Sequence, residues 1–200
     1  MARNYYYLVA GLRDYSIDTD TKGFDAVGIR EEIAGELAPG DRELLREFYL
    51  FYDITNLIAL WNGKGNFNAL GNFSREELEA ELEQPVRPPA YLGDVVVAYK
   101  NKEKEDKSVT VDETVDTDLD FGRNLWMRYY EACARSSNKF IRQWYAFDQE
   151  LRNISAAYTA RNIGREIEPE LVCSGDLFTA LTRNSAADFG LKNDVDYVDA

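Results

Sequence analysis

Apolar side chains recur at helical spacing along most of the chain. Residues 25–37 follow that period and end before the turn "APGD". Asp41 reads as an N-cap with Glu43 in the first turn, and Leu44, Leu45, Phe48, Tyr49, Phe51 and Tyr52 carry the period onward. The spacing predicts one long helix over 41–62, stopped at Gly63 and Gly65. Ser74 with Glu77 makes a capping box, which opens a short helix ending before Pro85. "RPPAYLGDVVVAYK" reads as a helix over 89–99, although Val95–Val97 would also suit a strand. Residues 4–13, "NYYYLVAGLR", fit either a strand or the first turns of a helix.

Residues 100–117, "NKEKEDKSVTVDETVDT" after Lys100, break the pattern. They are charged, then rich in threonine and valine, with no apolar face of helical period. They predict a solvated loop with room for a small hairpin. Helix resumes near Asp118, with Leu125, Trp126, Tyr129 and Tyr130 on one face. A second long helix is predicted over 137–163, stopping at Gly164, and a short one over 175–183. The chain therefore reads as all-α: a first helical module over 1–99, the charged loop, and a second helical module over 118–200.

Within the first long helix, "FYDITNLIALWNGKG" carries an acid and an amide, Asp53 and Asn56, beside an apolar face of Leu57, Ile58, Leu60 and Trp61. The same pattern returns in the second. Placing Asn56 over Asn153 (153 − 56 = 97) sets Asp53 on Glu150, Leu57 on Ile154, Ala59 on Ala156, Trp61 on Tyr158 and Lys64 on Arg161. A serine-led short helix follows each copy, at Ser74 and near Ser174. On a helix, Asp53, Asn56, Leu60 and Lys64 share one stripe, as do Glu150, Asn153, Ala157 and Arg161. Acid and cation are roughly 16 Å apart along that stripe, too far to pair. Each group then needs a partner elsewhere, and a buried Asn can tie a helix to its surroundings. The duplication favours a structural over a catalytic role for both copies.

Composition narrows the chemistry. The chain has 23 basic and 36 acidic residues, a net charge of −13, so a nucleic-acid partner is disfavoured. There is no histidine, which excludes a Ser-His-Asp triad, a Cys-His pair and any His-containing metal site. Cys133 and Cys173 are far apart in sequence and read as small apolar residues in a reducing compartment. No apolar run approaches a membrane span, and the opening "MARNYYYLVAGL" lacks a convincing signal-peptide cleavage site. "NGKGNF" fails the P-loop spacing and follows a helix, so it reads as a helix stop. Asp112, Asp116, Asp118 and Asp120 lack the glycine and glutamate of a calcium loop. No cofactor and no metal are expected.

The acid-x-x-Asn-(Leu/Ile) helix ending in a cation, present in two modules, resembles the C/d family of central-stalk proteins of V-type and A-type ATPases. Tyr5, Tyr7, Ala10 and Arg13 are similar to that family's opening Tyr-x-Tyr-x-x-Ala-x-x-Arg. "YYYLVAGL" and "NISAAYTARNIG" resemble more closely still an uncharacterised bacterial family encoded among V-type ATPase subunits. The resemblance implies a non-catalytic central-stalk adapter, cytoplasmic and held peripherally at the inner membrane through its complex. Its implied partners are the central shaft and the membrane rotor ring. The family has three modules where this chain shows two, which fits either a truncated sequence or a shortened relative that has lost the third, and "NDVDYVDA" favours truncation. Two other classes stay open. A general helical-repeat scaffold would share the repeat but bind other proteins. An acid–base enzyme using Asp53 or Glu150 would need a concave pocket holding a carboxylate of displaced pKa.

Overall fold

The computed structural model describes residues 4–12, 24–104, 115–116 and 119–191. Among these residues the chain is all-helical, with eight α-helices, one 3-10 turn and no strand. None of the described helices is long and apolar enough to cross a membrane. The chain forms two compact units, Met1–Glu79 and Ala80–Ala200. Their boundary falls inside a helix, ahead of the charged stretch around which the pattern divides the chain. The hairpin expected in that stretch lies outside the described residues.

The first unit begins with α1, Tyr6–Gly11, so the ambiguous opening is a short helix. Helix α2, Ala26–Glu36, is capped by Asp25, whose carboxylate accepts from the Gly28 N–H at 2.9 Å. Helix α3 runs from Pro39 to Trp61. It starts before Asp41 because Pro39 takes the first helical turn, where a missing N–H costs nothing. Asp41 is thereby a first-turn residue and not the cap, and its carboxylate accepts from the Tyr5 hydroxyl. That hydroxyl also accepts from the Ala38 N–H at 3.1 Å, which fixes the chain entering α3. Helix α3 ends on Gly63, at φ 66°, with the Lys64 N–H reaching the Ala59 carbonyl at 2.8 Å. Helix α4, Arg75–Glu83, opens with the anticipated box: Glu77 accepts from Ser74 N–H at 2.9 Å, and Ser74 Oγ accepts from Glu77 N–H at 3.2 Å.

The second unit is built on three helices packed in series. Helix α5, Ala90–Lys104, packs on α6, Phe121–Ala134, and α6 packs on α7, Lys139–Asn162. The strand alternative for Val95–Val97 is thus settled as helix, and α5 continues into the charged stretch as far as Lys104. Helix α6 starts later than the pattern suggests because Asp120 caps it, accepting from the Arg123 N–H at 3.1 Å. Leu125 and Tyr129 are fully buried, and the Tyr129 ring meets Tyr145 of α7 edge-on, with centroids 5.0 Å apart. The short helix α8, Gly175–Arg183, and a 3-10 turn at Glu168–Glu170 pack against the far end of α7. There Ile154, Ala157, Leu171, Leu181 and Phe189 form a second apolar cluster. Helix α7 stops on Gly164, at φ 70°, as α3 does on Gly63, with the Arg165 N–H reaching the Ala160 carbonyl at 2.8 Å.

Candidate functional site

Spacing of three residues places Asp53 and Asn56 on one side of α3, and both side chains are 1% exposed. A buried carboxylate needs donors, and the loop that leads from α3 to α4 supplies them. Asp53 Oδ1 accepts from the backbone N–H groups of Asn72 at 2.7 Å and Phe73 at 3.2 Å. Its Oδ2 accepts from Asn72 Nδ2 at 2.7 Å. One turn further on, Asn56 exchanges two bonds with the backbone of Asn68: its amide donates to the carbonyl and accepts from the N–H, both at 2.8 Å. From α2, Arg30 closes the same loop, donating to the Gly71 carbonyl at 3.0 Å and to Asn72 Oδ1 at 2.7 Å. Its guanidinium lies 4.7 Å from the centre of the Tyr49 ring.

The loop comes so close that Gly71 has no room for a side chain. A Cβ there would clash with Asp53 Oδ1. Burial pushes the Asp53 carboxyl above its ordinary range, opposed by the Asn72 and Phe73 N–H groups and by the Arg30 charge. The Asp53 and Asn56 contacts bind α3 to its own loop, and those of Arg30 bind α2 to it.

The second unit repeats the arrangement with different side chains. Asn153, fully buried on α7, accepts from the Val172 N–H at 2.7 Å. Gln149, one turn earlier, donates to the Val172 carbonyl at 2.7 Å, and the Asn153 amide donates back to the Gln149 carbonyl at 2.6 Å. From α6, Arg123 donates to the Leu171 carbonyl at 2.7 Å. In each unit, then, a long helix accepts a loop N–H that lies 19 residues downstream. An arginine from the preceding helix holds the carbonyl just before it.

This corrects the register of the repeat. By what they hold, Asp53 corresponds to Asn153, Gly71 to Leu171 and Asn72 to Val172, an offset of 100 (153 − 53). The helices after the two loops, Arg75–Glu83 and Gly175–Arg183, share that offset. The register of 97 matches Asn56 to Asn153 by identity and is displaced by about one helical turn. Glu150 is exposed, whereas Asp53 is buried. Lys64 is exposed beyond the helix stop, whereas Arg161 lies inside α7 and donates to the Ala186 carbonyl at 2.6 Å and the Asn184 carbonyl at 2.9 Å. These two cations are not equivalent. The spacing of Ser74 and Ser174 carries the correct register. Arg30, Asn72, Arg123 and Gln149 are not singled out by the pattern, because each resembles an ordinary polar residue of a helix or loop.

The opening tyrosines separate in role. Tyr5 holds the start of α3, while Tyr7 and Ala10 are exposed and Arg13 lies outside the described residues. An open groove of about 310 Å³ runs along α7 past Arg152, Ser155, Thr159 and Arg165, with Glu170 3.9 Å from Arg165. The displaced carboxylate, Asp53, does not line this groove. Among the described residues no cluster of three cysteine or acidic ligands could hold a metal. Both cysteines are buried, and burial pushes the Cys173 thiol up to about 11.

Comparison with known proteins gives one result. No curated protein and no solved structure matches the chain. The model of one family matches residues 1–200, and the chain accordingly belongs to that family, described as "Protein of unknown function (DUF2764)".

Proposed function

We propose that this chain is a non-catalytic adapter of the C/d kind in a V/A-type ATPase. In this reading it couples the rotating shaft of the soluble head to the membrane rotor ring. It would sit peripherally at the membrane through those partners. One observation carries the reading: the buried polar side chains of α3 and α7 are used on the backbone of their own loops. A part that transmits torque needs rigid helix ends, and buried hydrogen bonds between helix and loop supply rigidity. The Tyr5 anchor at the start of α3, within the opening tyrosine motif, adds to it.

The test is co-purification of the full-length protein with the shaft and ring proteins from its native membranes. Stoichiometric recovery with the assembled complex supports the adapter role. Consistent absence from that complex overturns it and favours a general helical scaffold with other protein partners. Gene neighbourhood offers an independent check, since the adapter reading requires the coding sequence to lie among those of the ATPase.

A further inference from the structure

Helices α6 and α7 meet over a patch of oxidisable rings. Trp126, Tyr129 and Tyr130 stand three and four residues apart on α6 and so share one face, and Tyr145 of α7 packs against it. All four rings are buried. Tyr130 stacks on Trp126 with centroids 5.8 Å apart, and it lies tilted to Tyr129 at 5.8 Å and to Tyr145 at 6.4 Å. One turn along α7 from Tyr145, Asp148 accepts from the Tyr130 hydroxyl at 2.6 Å. One turn further, the Arg152 guanidinium lies 3.8 Å from the Trp126 ring centre and also reaches the Tyr130 hydroxyl. The Tyr129 hydroxyl is paired instead with Tyr145 and Cys133.

Burial raises the pKa of all three phenols, so each keeps its proton at neutral pH. Losing an electron turns a phenol into a strong acid, and the radical persists only where a base takes the proton. Tyr130 has such a base in place, the half-buried Asp148 carboxylate. Tyr129 has a phenol and a thiol, and neither is a good proton acceptor. The Arg152 charge on the face of Trp126 opposes loss of an electron from that ring, so a hole in the cluster comes to rest on Tyr130. We propose that Tyr130 is a redox-active tyrosine, fed through the packed rings and served by Asp148 as its proton acceptor. One electron leaves the Trp126–Tyr130 stack for a one-electron oxidant such as an organic peroxyl radical, which becomes the peroxide anion. The phenol proton passes to Asp148, and a neutral tyrosyl radical remains. A neutral or cationic oxidant is favoured over an anionic one by the net charge of −13. The pair acts as a sink that draws oxidising equivalents away from the buried Cys133. The inference goes beyond the adapter role and does not rest on it.

The experiment oxidises the full chain with photogenerated tris-bipyridyl ruthenium(III) and follows the radical by electron paramagnetic resonance and transient absorption. A tyrosyl signal is expected, and of the 13 tyrosines it should belong to Tyr130. Tyr130→Phe should therefore remove most of it. Asp148→Asn, which keeps the side chain's size and takes away the base, should slow radical formation by about a hundredfold. That change falls at a half-buried position and keeps the test decisive if Tyr130→Phe loses helical circular dichroism. Tyr5→Phe is the control: Tyr5 also donates to a carboxylate, that of Asp41, but no ring stacks on it among the described residues. It should change neither yield nor rate. A signal that survives Tyr130→Phe, that follows Tyr5, or that forms as fast in Asp148→Asn overturns the inference. So does a lasting tryptophan radical in the parent, or no protein radical at all. None of these outcomes bears on co-purification with the ATPase, which remains the test of the adapter role.

Discussion

The loop N–H is accepted by a carboxylate in the first unit and by an amide in the second, although the two clamps hold equivalent loops. Asp53 gathers three donors onto one carboxylate, with Arg30 beside it. Asn153 takes a single N–H, and Gln149 and Arg123 handle the neighbouring carbonyls. The first unit puts three of its loop bonds on one carboxylate, beside those of Asn56 and Arg30, while in the second Asn153, Gln149 and Arg123 each contribute one. The second loop is also seated in an apolar cluster, where Leu171 is fully buried at the position matching Gly71. Hydrogen bonds to a charged acceptor are the stronger kind, but losing that acceptor strands more groups at once.

The contrast is sharpest under truncation. Asp53→Ala removes all three acceptor contacts and leaves two loop N–H groups and the Asn72 side-chain amide without their carboxylate. The expected cost is about 3–5 kcal/mol, read as a shift in the urea midpoint. Hydrogen exchange should then show Asn72 and Phe73 losing protection first. Asn153→Leu is milder, at about 1–3 kcal/mol, because Arg123 and the Leu171 side chain still hold the loop. Equal costs in the two units would remove the distinction between them.

Helix positions are largely legible from the chain. The period of apolar residues and the stop signals at Gly63 and Gly164 place α3 and α7, and α8 falls on its expected residues. Starts are less legible where a neighbour intervenes, as Pro39 does ahead of Asp41. The polar residues stand out in the pattern, but identity pairs them wrongly. Sequence matching aligns identical side chains, whereas the loops are held by equivalent positions, and a carboxylate at one serves where an amide serves at the other. The arginines are invisible for a related reason. Nothing in a helix sequence tells whether an Arg points to solvent or to a loop carbonyl 41 or 48 residues away.

The smallest expected effect is electrostatic. Burial raises the folded-state pKa of Asp53 above its unfolded value. Its stabilising contribution is then complete below the unfolded pKa, near about 4, and declines as pH rises through the folded pKa. Asp53→Asn removes that titration. The variant should therefore gain stability relative to the parent as pH increases across this window, and hold steady above it. Parallel curves of unfolding free energy against pH would show that the carboxyl is not perturbed in this sense.

The missing side chain at Gly71 has a kinetic consequence. At the matching position Leu171 pins the second loop into an apolar cluster, whereas the first loop uncovers one buried apolar residue, Phe73, when it lifts away. It should behave as a latch that springs open in one local event, while the other behaves as a rivet that yields only when the surrounding helices melt.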